Sequence, residues 1–552
     1  MTHPSFKRDL FILTLLCVAL LCFQLGVLYY MNPDESRYVD AAREMLATGQ
    51  WITPTLNGTT FLDKPALFYW IEIIIMKTLG LHPWSVRLLP VGFATFACVM
   101  NYIAGRLLYD RKTAWLAALV LLTSTLFFIA AHYTNMDLMV ASLIDASLWF
   151  FLFWLEKKRS GFLYASYLFA GLAFLTKGMI AIAFPALIIG CFILIYRRWV
   201  LLKKMHILLG ILIILALNLP WYGMVQHRNP EFAYYFFYVQ QFLRFSGNHS
   251  FNMRNPAYYY IMIIVAGMLP WSLFLVQSLW QKATEKETFI LLWIGVITLF
   301  FSIPASKTPG YILPVFPPIA FMIGRYIALY WQTPRQFKEI KIIAIVYALL
   351  FIGASFFIKT DLKLTAHIPA TALWPSLLII NVSWIILLAI AFKWSRKSVS
   401  QAFFIAFFIL QSAFLMSLIK PIESDRNQKS IEPIAQIINQ NGNPNETIIE
   451  YQRYDYDLLL YTQHDVKVVY PWNDPHIWNE DSWRRELMED VYYKHTPRQP
   501  NLVLPEALPA LWKTASAPVF LVASPHDLPQ LHSILGPFKI LYQNQNQVLL
   551  GR

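Results

Sequence analysis

"ALFYWIEIIIMKTLG", residues 66–80, is the stretch on which the topology turns. It is apolar enough to pass for a membrane span, yet only twelve residues separate Lys64 from Lys77, and Glu72 would lie at mid-membrane. A span needs about 20 predominantly apolar residues. The stretch therefore reads as a helix lying at the membrane interface. The surrounding charges agree. With 66–80 left out, the loops "YDRK", "EKKRS", "YRRWVLLKK", "QKATEKE", "PRQFKEIK" and "KWSRK" all fall on the side of the N-terminus. The opposite short loops hold isolated lysines such as Lys177, Lys307 and Lys359. Counting 66–80 as a span would scatter the basic loops over both faces, against the rule that cytoplasmic loops collect Lys and Arg.

Outward from there, thirteen apolar runs are expected to cross the membrane, near 10–30, 86–108, 115–132, 137–155, 162–176, 178–196, 206–222, 257–280, 287–304, 309–330, 341–358, 371–392 and 401–419. The N-terminus is then cytoplasmic, and an odd number of spans puts the tail outside. The composition fits: 57% of the 552 residues are hydrophobic and 14% charged, against roughly 25% charged in a soluble domain. The net charge of +13 faces the inner leaflet in large part and calls for no nucleic acid. Cys17, Cys22, Cys98 and Cys191 all lie in apolar runs, so they read as buried thiols and not as a disulfide or zinc framework. The first run follows Lys7 and Arg8, lacks a small-residue cleavage site, and is read as a retained anchor.

Residues 1–420 thus form an all-α polytopic domain with two long outer loops, about 31–85 and 223–256. Residues 421–552 read as a small α/β domain: "SIEPIAQIINQ" has helical periodicity, and "ETIIEYQRY", "VKVVY", "NLVLP" and "PVFLVAS" read as short strands. The tail also holds "QRYDYDLLLYTQHD" and "PWNDPHIW", neither of which names a reaction.

Charged residues gather in the outer loops. "PDESRY" starts a helix with Asp34 and Glu35 near its positive end; a cap is the plain alternative. "LDKP" again places a carboxylate, Asp63, and a cation, Lys64, before an amphipathic helix that Pro65 suits at its first position. The aromatic stretch 229–256 contains Arg244, which interface anchoring alone would not require. "SKTPGYILPVFPP" puts Lys307 and Tyr311 in backbone broken by Pro and Gly, which is tolerated at membrane depth where it lines a cavity. Asp137 and Lys177 stand at further outer boundaries, where a cap and a snorkelling lysine are the alternatives. Arg and Lys at headgroup level suit a phosphate that stays in the membrane. Carboxylates beside them suit a general base, a metal, or the hydroxyls and amines of a sugar. The chemistry inferred is group transfer from a lipid-linked phosphate.

Seven motifs in order, "PDESRY", "LDKP", "NMD", "LTKG", "NLPWY", "QQFLRF" and "KTPGYILPVFPP", resemble those of the lipid A aminoarabinose transferases. These are polyprenyl-phosphate-dependent membrane glycosyltransferases of the GT-C class, related to protein O-mannosyltransferases. The resemblance implies an inner-membrane enzyme with its site facing the periplasm. Its donor would be an undecaprenyl phosphate sugar, such as 4-amino-4-deoxy-L-arabinose, and its acceptor a lipid A phosphate, with inversion at the anomeric carbon. It implies Asp34, Arg37 and Lys64 as catalytic residues, with Arg244 a further cation near the phosphate. Tyr38, Asp63, Asp137, Lys177, Lys307 and Tyr311 join it in substrate binding. Two departures stand out. The family usually has Glu where this chain has Asp63, and a Glu-His pair where this chain has Gln240 and Gln241. No cofactor is required by these motifs, and a divalent metal is left open. A protein Ser/Thr or other glycan hydroxyl is the alternative acceptor. A lipid or sugar transporter is the rival of another class, disfavoured because no internal repeat is visible.

Overall fold

The structure is a computed structural model of the full chain. It describes residues 4–243, 254–280, 282–360, 370–393, 399–427, 430–441, 446–479, 482–494, 499–514 and 517–552. The chain forms two compact units, one of Met1–Leu28, Arg87–Leu219 and Asn255–Gln428, the other of Tyr29–Val86, Pro220–Arg254 and Lys429–Arg552.

The first unit is helical. Helices lie over each of the thirteen runs read as spans. By length and composition, six helices among the described residues are apolar enough to cross a membrane: Pro83–Leu108, Met136–Lys157, Ile207–Arg228, Pro309–Leu329, Thr371–Phe392 and Val399–Ser424. The number rises to eight if each of two bent pairs counts as one span. Arg111–Leu122 turns by 65° into Thr125–Ala131, and Tyr259–Gly267 turns by 108° into the helix ending at Leu279. Met136–Lys157 is the central helix, 89% buried over its apolar window, and it packs between Leu88–Leu108 and Ser160–Lys177. Small residues let such helices approach: a Cβ on Gly324 would come within 2.4 Å of the Ala117 backbone nitrogen. Turns are capped locally, as where the Asp110 carboxylate accepts the Thr113 N–H at 2.8 Å.

The second unit gathers the two long outer loops and the tail. Helix α1 (Asp34–Thr48) is followed by the hairpin of β1 (Thr55–Leu56) and β2 (Thr59–Thr60), then by α2 (Leu67–Leu79). The stretch that opened the sequence reading is thus a 13-residue helix, and Glu72 is buried in the protein. The aromatic stretch forms a helix, Tyr234–Leu243, with π-type i→i+5 turns. Such turns are rare and cluster at functional sites. The tail builds a six-stranded sheet in the order β5-β4-β3-β6-β8-β7. The strands read from sequence are β3 (Thr447–Tyr451), β4 (Lys467–Val469), β5 (Leu502–Val503) and β6 (Val519–Ala523), all mutually parallel. β7 (Lys539–Gln543) and β8 (Val548–Gly551) add an antiparallel edge. Their apolar side chains close a core around Ile449, Leu521 and Leu550. Helix α3 (Trp483–Lys494) also belongs to the tail.

Candidate active site

In the second unit, α1 opens with Asp34 and presents Arg37 one turn later. The Arg37 guanidinium donates to the carboxylates of Asp34 and of Glu486 on α3. Its Cζ lies 5.0 Å from the centre of the Tyr38 ring. Burial works against the charge of Arg37, but Glu486, Tyr38 and Asp34 outweigh it and hold the guanidinium protonated. Glu486 is itself oriented by the Tyr456 hydroxyl, which donates to it at 2.6 Å. Among the described residues, the Arg37 Nε–H has no hydrogen-bond acceptor, nor has the buried Tyr69 hydroxyl a partner. A buried guanidinium with a donor to spare is suited to an incoming anion.

Asp63 and Lys64 sit in the same unit. The Lys64 ammonium lies 3.1 Å from the Asp63 carbonyl and 4.0 Å from its carboxylate. The Asp63 carboxylate accepts hydrogen bonds from the Tyr235 hydroxyl and, at 2.9 Å, from the Gln240 amide. Tyr235 is also hydrogen-bonded to Glu489 on α3, and Gln240 donates to the Tyr235 oxygen at 2.6 Å. The π-type helix accounts for this pairing, since its i→i+5 turn stacks residue 240 over residue 235. Burial, with Asp63 beside it, pushes the Glu489 carboxyl well above the usual range.

The first unit holds its own group. The Lys177 ammonium pairs with the Asp137 carboxylate and lies 4.6 Å over the Tyr311 ring. Gly310 makes this packing feasible, because a Cβ there would fall 2.2 Å from the Asp137 carboxylate. The helix carrying Asp137 is capped by Asn135, whose side chain accepts the Asp137 N–H at 2.9 Å. Lys307 is buried, and its ammonium donates to the backbone carbonyls of Asn255, at 3.1 Å, and Pro304. Arg244 lies outside the described residues.

The structure therefore brings Asp34, Arg37, Tyr38, Asp63 and Lys64 into one unit and Asp137, Lys177, Lys307 and Tyr311 into the other. Sequence reading did not foresee Tyr69, Tyr235, Glu486 or Glu489. The signal for the last two was a Glu at i and i+3 in "WRRELMED", a spacing that puts both on one side of a helix. The residues around Asp63 do not fit a divalent metal. The groups that approach its carboxylate from Tyr235 and Gln240 are proton donors, and among the described residues no three His, Cys, Asp or Glu side chains converge as a cation would require.

Residues 63–223 match the family described as dolichyl-phosphate-mannose-protein mannosyltransferase. Over 323 residues the chain is 32% identical to the undecaprenyl phosphate-alpha-4-amino-4-deoxy-L-arabinose arabinosyl transferase of Enterobacter sp. (strain 638), covering 56% of this chain and 57% of that protein. A second relative of that description, from Proteus mirabilis, is 30% identical over 64% of this chain and 65% of its own. The chain thus spans about six tenths of the length of the curated relatives it matches. Among solved structures, ArnT from Cupriavidus metallidurans bound to undecaprenyl phosphate superposes with a TM-score of 0.83 at 23% identity, covering 99% of this chain and 98% of that one. The fold is that of this solved structure, and the resemblance read from the seven motifs is borne out.

Proposed function

We infer that this chain is a member of the undecaprenyl phosphate-aminoarabinose arabinosyl transferase family. It transfers a sugar, 4-amino-4-deoxy-L-arabinose or a close amino sugar, from undecaprenyl phosphate to a lipid A phosphate at the outer face of the inner membrane. The observation that carries this reading is the buried Arg37, held between Asp34 and Glu486 with a donor still open, in a chain similar over half its length to transferases of that name.

In this reading Arg37 and Lys64 neutralise the phosphate as its bond to the anomeric carbon breaks, with Arg244 assigned the same duty from its sequence position. Donors aimed at charge that develops in the transition state supply the largest single share of such catalysis. The leaving group is the lipid phosphate, so no nucleotide takes part outside the cell. An acceptor phosphate is ionised at neutral pH and needs no base, so Asp34 orients the donor sugar or its amine while it aligns Arg37. With a hydroxyl acceptor, Asp34 would be the base. Tyr69 and Tyr38 offer a hydroxyl and a ring to the sugar, and Asp137, Lys177 and Tyr311 form the second set of polar groups assigned to substrate.

Mass spectrometry of lipid A tests this, in cells lacking the chain and in cells carrying wild type or Asp34→Asn. An amino-sugar mass on lipid A phosphate that needs the wild-type chain and is lost with Asp34→Asn supports the reading. Lipid A that is unchanged by deletion overturns the assigned acceptor.

A further inference from the structure

Two carboxylates, Asp63 and Glu489, lie against one phenol oxygen. Tyr235 is hydrogen-bonded to both, both acids are buried, and a phenol has a single proton to donate. Of the two contacts, one uses the Tyr235 proton, and the other must use a proton on a carboxyl group. Charge decides which carboxyl bears it. Asp63 already faces a second donor, the Gln240 amide at 2.9 Å, and a cation, the Lys64 ammonium 4.0 Å away. Glu489 faces Asp63 and Glu486, with Arg485 as the nearby cation. Two like charges sharing a site cannot both ionise cheaply. The Tyr235 oxygen already accepts a bond from Gln240 at 2.6 Å and has a second lone pair for a carboxylic acid.

We propose that Glu489, a residue of the tail, is held as a neutral acid that donates its proton to Tyr235, so that hydrogen bonds through the phenol and not a metal cation join it to Asp63. The chain runs Glu489–H to Tyr235 O, then Tyr235 O–H to Asp63. Glu489 is thus a positioning residue, acting through Tyr235 on Asp63 and so on the adjacent Lys64. This deepens the functional reading above and rests on it for its kinetic consequence. Gln240 takes part as a proton donor, a duty that a metal-ligating side chain at its place would not perform.

The test uses the full chain in lipid nanodiscs with Glu489→Gln and Glu489→Ala. Difference infrared spectra at neutral pH should show a protonated-carboxyl stretch that Glu489→Gln removes. Glu489→Ala should lower kcat about tenfold, with KM for the undecaprenyl phosphate sugar little changed, because it leaves buried groups unsatisfied. Glu489→Gln, which keeps a donor without a charge, should restore most of that loss. EDTA should leave the wild-type rate unchanged. The proposal is overturned if Glu489→Gln is as impaired as Glu489→Ala, or if the difference between wild-type and Glu489→Gln spectra contains no protonated-carboxyl band. It is equally overturned if EDTA abolishes turnover and Zn2+, Mn2+ or Mg2+ restores it. Should the wild type consume no such donor, the functional reading fails while the infrared band still decides the proton.

Discussion

Arg37 and Lys177 are both cations held by carboxylates, and both are largely buried, with side chains 14% and 13% exposed. They are assembled in different ways. Lys177 meets Asp137 from the neighbouring helix and the Tyr311 ring, so its charge is matched by one acid and one aromatic face. Arg37 is matched by two acids, one a turn away on its own helix and one 449 residues on in the tail, and it still has a donor open. In the first arrangement one acid and one ring face the cation. The second has capacity for a further anion, which is the property expected of a group that meets a phosphate.

That contrast is easiest to break by removing the cations. Arg37→Ala should lower donor turnover about 100-fold or more, the cost of losing a donor to developing charge. Lys177→Ala should cost about tenfold, the scale of one lost binding contact. Turnover of an undecaprenyl phosphate sugar by purified variants, each checked for monodispersity, measures both. Equal losses would erase the distinction between the two arrangements.

The acids on Arg37 sharpen it further. Glu486 is 13% exposed in its side chain and Asp34 41%. Removing one partner of a buried pair strands the other charge, so Glu486→Ala should destabilise the chain by roughly 3 kcal/mol. Asp34→Ala should cost at most about 1 kcal/mol, as exposed pairs do, while still impairing turnover. Denaturant or thermal unfolding against activity separates the two. If Asp34→Ala unfolds the chain as readily as Glu486→Ala, Asp34 is a structural cap.

On the Lys177 side, the corresponding probe is Gly310→Ala. Its new Cβ would stand 2.2 Å from the Asp137 carboxylate, so Asp137 or the Tyr311 segment must shift, at about 2 kcal/mol for such overpacking. The thermal midpoint should fall, while Arg37-dependent binding of undecaprenyl phosphate is retained.

These pairs also show how far the residues could be read in advance. "PDESRY" and "LDKP" were legible because a helix start has a local chemical signature: a proline, an acid at the positive end, a cation a turn later. The strands β3 to β6 were legible because apolar β-branched runs bounded by turn residues have few other uses. The role of α3 was not, because "WRRELMED" looks like any solvated amphipathic helix until Glu486 and Glu489 meet groups hundreds of residues away. The aromatic stretch 229–256 reads as interfacial, and the i→i+5 turns of Tyr234–Leu243 are invisible in it because no sequence periodicity announces a π-type helix. Tyr235 and Gln240 became partners only through that geometry. Long-range electrostatic complementarity leaves no period in a sequence.

The smallest expected effect concerns pH, and it sets the second unit's buried acids apart from the exposed Asp34. Burial, with Asp40 beside it, pushes the Glu44 carboxyl from 4.5 to about 7, although Arg43 pulls the other way. Burial likewise raises Asp40 from 3.8 to about 6, against the pull of Arg43, with Asp465 adding to the rise. The Glu44 oxygens accept backbone N–H bonds from Asn57 and Gly58, so the group is fixed to the hairpin next to it. A folded value above the unfolded one means that the folded chain keeps a proton the unfolded chain has released. The folded state then binds more protons, and stability falls as pH rises through that window. The contribution is fully present below the ordinary carboxyl value and is lost by the time pH passes the folded value of about 7. Thermal midpoints of the full chain should therefore decline between pH 5 and pH 8, and Glu44→Gln should flatten the decline by fixing a neutral side chain in place. A midpoint that rises over that interval would mean that these buried acids do not keep their protons in the folded chain, and the contrast between them and the exposed Asp34 beside Arg37 would not hold.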